Sequence, residues 1–514
     1  MLLSLLIFLP ILFAVVIALW PQKNTIKHLA LGFSLMEFLV SLVLLQEFDA
    51  STAALQLVEK STWIERFGIS YFLGVDGISL MLVLLTAFLT PIIILASWKS
   101  IEHRIKGFYA ALFVLQTAML GSFLAMDAIL FYVFWELSLV PMYFIVGIWG
   151  GERKIYATIK FFIYTMAGSL LMLLAIIFMM NLTPEVTGGT MSASLLDFYK
   201  LKIPFIAGEF FTTQTLLFFA FALAFAIKVP IFPLHTWLPD AHVEAPTPGS
   251  VILAGVMLKM GTYGFLRWVM PLFPEAVEHY GWIFIAAGTI GIIYGALVAM
   301  VQPDVKKLVA YSSVSHMGYI IVGIFTMNAY GLNGALYQML NHGVSTGALF
   351  ILIGMIYERT HSREISKYGG LAGALPIFTI FFVIVSLSSI AVPLTNGFIG
   401  EFLILLGAYQ YAPLLAAVIV SGVVLGAAYM LWMIKRVFFG PKGELVLAAE
   451  ADVSVSHGHH GLHDVSIREL VVLAPLVLMI FWMGVFPSHF MKFSAASIDH
   501  LIKNKHNYSF PMEK

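Results

Sequence analysis

Long apolar runs limit the fold of this 514-residue chain more than any other feature. Most of them reach the roughly 17–25 residues that a helix needs to cross a bilayer. Only 11% of the residues are charged, whereas a soluble domain carries about 25%. The sequence therefore predicts an all-α polytopic membrane protein with about fourteen transmembrane helices. The predicted spans are 2–20, 29–46, 78–98, 108–126, 128–149, 156–181, 212–238, 246–270, 280–301, 307–327, 331–357, 374–410, 413–437 and 466–487.

The charge balance and the absence of cysteine exclude several functions. Lys plus Arg and Asp plus Glu each number 28, so no excess of positive charge indicates nucleic acid as a partner. Without cysteine the chain has no disulfide, no thiolate zinc site and no iron–sulfur cluster of its own. The apolar N-terminus lacks the positive region and cleavage site of a signal peptide and is predicted to remain as the first span.

Basic residues are distributed unevenly between the loops on the two sides of the predicted membrane. Sixteen lie in loops on one side and eight on the other. Since Lys and Arg accumulate on the cytoplasmic side, both termini are expected on the opposite side. Because no transit peptide is apparent, a bacterial inner membrane is the default expectation, with both termini of the multi-pass protein on the periplasmic side.

Two of the apolar runs are interrupted by proline. The stretch FALAFAIKVPIFPLHTW (221–237) places Lys228 in an apolar helix and follows it with Pro230 and Pro233, and Pro393 interrupts span 374–410. Proline removes a backbone donor and clashes with the preceding turn. Unwound backbone survives inside a membrane only when it is buried in protein or lines a wet cavity, and such breaks mark the ion site of many transporters.

The two Val-Pro pairs at 229–230 and 392–393 fit two five-helix repeats with one broken helix each. An odd number of helices per repeat inverts its orientation, so we expect inverted repeats. The predicted organisation is an N-terminal segment 1–107, a first repeat 108–270 broken near 228–235, a second repeat 271–440 broken near 391–397, and a C-terminal segment 441–514.

Ionisable residues within the spans are the candidate functional residues. A charge at a helix centre costs about 2.5–3.5 kcal/mol on insertion scales, so such groups usually face the bundle interior and mark an ion or proton path. The alternative for each is a structural polar contact or a static ion pair. The main candidates are Glu136, Lys228, Lys259, His316, His342 and Glu401, with His235, Ser312 and Tyr319 as secondary candidates.

Polar residues recur on the helices that carry the two central histidines. Ser312, His316 and Tyr319 are spaced to share one helical face, and imidazole is suited to proton transfer near neutral pH. His235 follows the first break, where it lines a path or bonds freed carbonyls. For the other groups we expect no functional role. Lys160 is expected to extend to the membrane surface, and Arg267 and Glu37 are expected to be structural. The histidine-rich stretch 457–463 is expected to be a solvated loop rather than a metal site.

Five stretches resemble the antiporter-like membrane subunits of respiratory complex I, most closely the chain M or mitochondrial subunit-4-like type. They are YFLGVDGISLMLVLLTAFLTP (71–91), FYVFWELSLVPMYFIVGIWGG (131–151), FALAFAIKVPIFPLHTWLPDAHVEAPTPGSVILAGVMLKMGTYG (221–264), DVKKLVAYSSVSHMGYI (304–320) and LTNGFIGEF (394–402). The resemblance covers nearly the whole chain. It implies a proton channel through each half, within an NADH:quinone oxidoreductase.

The same resemblance implies roles for the candidate residues and for partners. Glu136 would pair with Lys228 in the entry half, Lys259 would be the central relay, His316 and His342 would continue it, and Glu401 would be the exit residue. FMN, iron–sulfur clusters and quinone would belong to other subunits, with no cofactor and no redox centre in this chain. Chain L-like and chain N-like subunits would be its neighbours.

Four alternatives remain open at the level of sequence. Two are other assemblies, in which the chain is a subunit of a multi-subunit sodium/proton antiporter or of a membrane-bound hydrogenase. The other two are a structural spacer without conduction and a quinone-binding enzyme, although no stretch marks a quinone pocket. GVDGIS and Glu401 favour complex I. A spacer would have to contain six buried ionisable groups as scaffolding. The chain L type carries a long additional lateral helix, whereas this sequence is expected to end after its fourteenth span.

Overall fold

The fold is a bundle of membrane helices. A computed structural model describes residues 1–209, 211–448 and 462–511. Among the described residues, eleven helices are long and apolar enough to cross a membrane, and three shorter apolar helices lie at predicted span positions. The helical membrane class is confirmed, and the count of fourteen crossings stays a prediction.

The main helices are numbered in chain order. They are α1 Leu2–Leu19, α2 Ile26–Glu47, α3 Leu80–Ala96, α4 Ile105–Leu124, α5 Ala128–Trp149, α6 Lys154–Leu182, α7 Thr213–Lys228, α8 Trp237–Glu244, α9 Thr247–Leu272, α10 Pro274–Met300, α11 Val305–Phe325, α12 Ala329–Thr360, α13 Pro376–Ser389, α14 Asn396–Tyr411, α15 Pro413–Phe438, α16 Ile467–Val485 and α17 Ser488–Lys503.

Two elements, a β-hairpin and a further helix, lie outside the predicted spans. Strands β1 Gln56–Ile64 and β2 Ile69–Val75 form an antiparallel hairpin, because this loop is rich in the β-branched and aromatic residues that favour strands. The tail after the last span contains α17, an amphipathic helix whose buried face includes Phe490, Ile498 and Leu501. Short helical turns occupy Lys23–Thr25, Glu65–Phe67, Pro184–Thr187, Leu195–Phe198, Ile365–Lys367 and Leu371–Ala374.

Proline breaks the first discontinuous helix where the sequence predicts. Helix α7 ends at Lys228, and the chain resumes as α8 only at Trp237. Two contacts satisfy carbonyls that the break frees: the Trp237 indole N–H donates to Ile227 O at 2.9 Å, and Ile231 N donates to Ala226 O at 2.9 Å. The broken backbone is thus satisfied inside the protein, as a membrane interior requires.

The second break separates α13 from α14. Ala391 and Leu394 take positive φ angles of 57° and 74°, a conformation that costs energy for residues other than glycine. A hydrogen-bond network holds the two sides together: the Ser388 hydroxyl donates to Asn396 Oδ1 at 2.5 Å, and the Ser345 hydroxyl of α12 lies 2.6 Å from the Ser388 hydroxyl. This break is therefore fixed to α12.

Helix α9 is buried on all sides between the two breaks. Every residue from Pro248 to Leu272 is buried. Two π-helical segments, Leu253–Met257 and Phe265–Val269, flank the α-helical turns that carry Lys259, and such bulges are frequent at functional sites. Gly261 allows α7 to approach: a Cβ there would lie 2.9 Å from Phe225 O.

A buried ion pair lies at the far end of α9. Arg267 and Asp76 are each only 1% exposed and are joined directly. The Arg267 Nε donates to the Tyr263 hydroxyl at 3.2 Å, and the Tyr199 hydroxyl donates to Arg267 O at 2.8 Å. The ion pair of Arg267 with Asp76 therefore connects the segment before α3 to α9, which is a structural role.

We predict that Arg267→Met destabilises the subunit by about 3–5 kcal/mol, because it leaves the Asp76 carboxylate buried without a counter-charge. Lys200→Met is the matched control, since Lys200 is 59% exposed in its pair with Asp197 and exposed pairs contribute about 0–1 kcal/mol. Thermal unfolding and the amount of subunit assembled in membranes measure the difference. Equal stability of the two variants would contradict the structural role of the pair.

Candidate proton-transfer site

Lys259 meets His342 at the contact between the two predicted repeats. Its ammonium lies 2.6 Å from His342 Nδ1 and also donates to the Ala254 carbonyl. Lys259 is fully buried. Within the described residues of the chain, no carboxylate lies within 4 Å of its Nζ. The central lysine is thus held by neutral acceptors alone.

A chain of polar contacts leads from His342 to Glu401. The rings of His342 and His316 are 5.9 Å apart between centroids. His316 Nδ1 lies 3.0 Å from Glu401 Oε1, and the same oxygen accepts from Gln338 Nε2 at 3.1 Å. The Ser389 hydroxyl lies 3.3 Å from His316 Nε2. Three predicted candidates, from helices far apart in sequence, therefore follow one another from Lys259.

A small polar cavity lies between the two histidines. Its volume is about 10 Å³, roughly enough for one water molecule. Its lining includes Asn341, Ser345 and Ser388 in addition to the two imidazoles. These hydroxyl and amide groups supply the polar partners that a buried water requires, so a single water would connect His342 with His316.

Lys228 and Glu136 do not form the ion pair that the resemblance implies. The Lys228 ammonium donates to the Ser138 hydroxyl at 3.1 Å and lies 5.1 Å from the centroid of the Trp135 ring. No described carboxylate lies within 4 Å of it. Glu136 lies beside Ser169 and Tyr132, and its Oε1 has no hydrogen-bond partner among the described residues. The Lys228 ammonium therefore contacts a hydroxyl in place of the expected carboxylate.

The three secondary candidates differ in how they are engaged. His235 is buried against Phe232 and Tyr294, and its Nδ1 has no partner among the described residues. The Ser312 hydroxyl donates to its own helix at Val309 O, 2.8 Å away, and the Tyr319 hydroxyl donates to Ile419 O at 2.8 Å. Both hydroxyls are thus bonded to backbone carbonyls, and the roles of all three residues stay predictions.

Sequence reasoning missed two buried basic groups, His242 and Lys306. His242 of α8 is fully buried and stacks on Phe350, and neither ring nitrogen has a partner within the described part of the chain. The loop pattern places Lys306 at the cytoplasmic surface, yet it is only 6% exposed and donates to Ala245 O at 2.5 Å. For His242, the sequence contains a usable signal, because this histidine lies in WLPDAHVE, directly after the first break.

Lys160, Glu37 and the histidine-rich stretch, for which no functional role is expected, differ in their surroundings. Lys160 reaches the partly exposed Asp240 at 2.7 Å. Glu37 is fully buried and neither carboxylate oxygen has a partner. Of the histidine-rich stretch, residues 457–461 lie outside the described residues. Among those that are described, no group of three or more His, Asp or Glu side chains is arranged to hold a metal ion.

Buried ionisable groups beside two broken membrane helices define an ion-translocating membrane protein of the antiporter-like class. The family model described as "NADH:quinone oxidoreductase/Mrp antiporter, TM" matches residues 125–426. A second, described as "NADH-ubiquinone oxidoreductase chain 4, amino terminus", matches residues 4–127. The chain belongs to the NADH:quinone oxidoreductase/Mrp antiporter transmembrane family.

Similar proteins extend over nearly the full chain. It is 44% identical to NADH-quinone oxidoreductase subunit M of Rhodobacter capsulatus, over 98% of this chain and 97% of the relative. It is 41% identical to NADH-ubiquinone oxidoreductase chain 4 of Arabidopsis thaliana, over 98% and 97%. A chain of respiratory complex I from Thermus thermophilus has the same fold, with a TM-score of 0.84 at 31% identity, covering 98% of this chain and 100% of that one.

We predict that Gly400→Ala lowers proton translocation several-fold. A Cβ at position 400 would lie 2.7 Å from Asn341 Nδ2 and 3.0 Å from Gln338 Cα, so Gln338 would be displaced from Glu401. Gly426→Ala is the control, since a Cβ there meets no atom within 4 Å. Translocation in assembled membranes measures both variants, and an unchanged rate in Gly400→Ala would exclude a role for the Gln338 contact.

Proposed function

We propose that this chain carries protons across the membrane as the chain-M-type subunit of NADH:quinone oxidoreductase. The observation that supports this most is the series Lys259–His342–His316–Glu401, built from buried side chains of four helices. Its members are in hydrogen-bond contact except for the two imidazoles, which are separated by a cavity of the size of one water. Such a series of ionisable groups suits proton transfer rather than electron transfer. NADH oxidation and quinone reduction take place in other chains of the complex.

In the proposed sequence of steps, Glu136 and Lys228 receive the signal from a neighbouring subunit. A charge change beside Glu136 alters the attraction between its carboxylate and the Lys228 ammonium. A proton on Lys228 then repels one on Lys259, and the proton moves through His342 and His316 to Glu401. His235 and His242 remain candidates for supplying protons to the two lysines.

Like-charge repulsion is strong enough for this step. Moving one charge across 100 mV takes about 2.3 kcal/mol. Two like charges about 7 Å apart repel each other by about 2.4 kcal/mol at an effective dielectric constant of 20. Repulsion between two buried like charges at such a separation is therefore large enough to displace one proton per cycle.

We extend the proposal to the arrangement of the subunit in the membrane. The segments 108–270 and 271–440 act as two inverted repeats, each with one half of the proton path. The excess of basic residues in one set of loops supports periplasmic termini in a bacterial inner membrane. Chain L-like and chain N-like subunits flank this one in the complex.

Antiporter and reductase complexes are the alternative assemblies. A chain of the Mrp complex from Dietzia shares the fold with a TM-score of 0.80 at 20% identity, covering 96% of this chain and 51% of that one, and this likeness concerns the fold alone. The relatives above 40% identity are named as NADH oxidoreductase subunits, which favours complex I for this chain.

The proposal predicts that Lys228→Ala reduces protons pumped per electron in the assembled complex, because the central lysine then lacks a repelling neighbour. Lys202→Ala is the control, since that lysine is exposed outside the spans. Proton uptake by inverted vesicles during NADH oxidation gives the ratio. An unchanged ratio in Lys228→Ala, with the complex intact, would refute the coupling step.

Ser138 provides a separate test of the entry half. Ser138→Ala removes the hydroxyl that the Lys228 ammonium contacts while leaving both charged groups in place. We expect a smaller loss of pumping than for Glu136→Gln, and a shifted pH profile of pumping, because Ser138 positions Lys228 and does not itself relay the transported proton. A loss in Ser138→Ala equal to that in Glu136→Gln would show that the hydroxyl itself lies on the path.

A further inference from the structure

Two apolar cavities flank helix α16 near its C-terminal end. One, of about 580 Å³, lies between α16 and helices α2, α3, α12 and α17, and the other, of about 570 Å³, lies between α16 and α13. Leu478 and Trp482 line both cavities. The larger volume is within the range of ligand pockets, roughly 300–1,000 Å³, whereas the smaller cavity is an open groove at the surface of the bundle, lined by exposed side chains such as Leu478 and Phe486. Neither belongs to the proton path.

Basic side chains line one end of the larger cavity. His489 and Lys492 of α17 line it together with Trp482. The Trp482 indole N–H donates to His489 Nδ1 at 3.1 Å, so a neutral His489 carries its hydrogen on Nε2, where it is left to donate. The Lys492 ammonium lies 4.9 Å from the Phe493 ring centroid, and no carboxylate of the described residues is within 4 Å of it. This end therefore offers a cation and an N–H donor.

We propose that the two cavities hold one anionic phospholipid, with one acyl chain on each side of α16 and its phosphate at Lys492 and His489. Two apolar spaces that share Leu478 and Trp482 match a ligand with two chains joined at one head. An ammonium without a carboxylate partner, beside a tryptophan of the kind that marks the membrane surface, matches a negatively charged headgroup. A quinone has a single tail and an uncharged head, and would use neither the second cavity nor the lysine.

The bound lipid would also support the helix that carries His342. Leu340 and Val344 of α12 line the larger cavity, two residues to either side of His342. An acyl chain in this cavity therefore packs on the outer side of α12. The lipid completes the packing of a relay helix without entering the relay, so its binding can be tested independently of proton transfer.

Photolabelling of the intact complex in nanodiscs tests the proposal. The probe is phosphatidylglycerol with a diazirine in one acyl chain, and phosphatidylcholine with the same chains is its zwitterionic counterpart. We expect labelled peptides from α16 and from the 340–344 segment, with about five-fold more label from phosphatidylglycerol, the effect of one lysine beside an anionic headgroup. Lys492→Gln should abolish this preference.

Lys503→Gln is the matched control, because Lys503 lies on the same helix, is 75% exposed and is absent from the cavity lining. It should leave the preference unchanged. Equal labelling by the two lipids, or a preference that survives in Lys492→Gln, would overturn the headgroup assignment. Absence of label from both cavities, or labelling there by a photoreactive quinone that phosphatidylglycerol does not displace, would overturn lipid binding itself.

Discussion

The Lys259–His342 contact is the interaction on which the rest of the site depends. An ammonium in a low-polarity interior is costly unless it is paired, yet the described contacts of this one are a carbonyl and an imidazole. Neither neutralises a charge. A lysine in such surroundings holds its proton only as long as nearby charges favour it, which is the property that a relay requires.

The helices packed around Lys259 create its low-polarity surroundings. Helix α9 is enclosed by other helices along its length, Gly261 lets the broken helix α7 approach it, and π-helical segments lie on both sides of the lysine. The second break is fixed to α12 through Ser388 and Asn396, so the helix that bears His342 is fixed to the helix pair that bears Glu401. Both broken helices thus contact helices that carry the central residues, α9 with Lys259 and α12 with His342.

The two halves hold their carboxylates differently. Glu401 is held by contacts with Gln338 and His316, which favour a defined geometry. Glu136 Oε1 has no hydrogen-bond partner among the described residues, and Lys228 contacts Ser138 instead of a carboxylate. The carboxylate of the first predicted repeat is therefore less firmly held than that of the second.

Local rules explain which features the sequence predicts and which it does not. Helical spans and both breaks follow from apolar run length and from proline, which act within a few residues. The contact of Lys259 with His342 joins residues 83 positions apart, and no local pattern contains it. The burial of Arg267 depends in the same way on Asp76 folding inward. The hairpin and α17 were missed because both lie outside the apolar runs on which the predicted map rests.

The most direct measurement is the number of protons pumped per electron by membranes that carry Lys259→Ala, with complex assembly and quinone reduction recorded in the same preparation. The account predicts an assembled complex that still reduces quinone and pumps fewer protons per electron. An assembled complex with an unchanged ratio would contradict it, because the buried charges would then be architecture and this subunit a spacer.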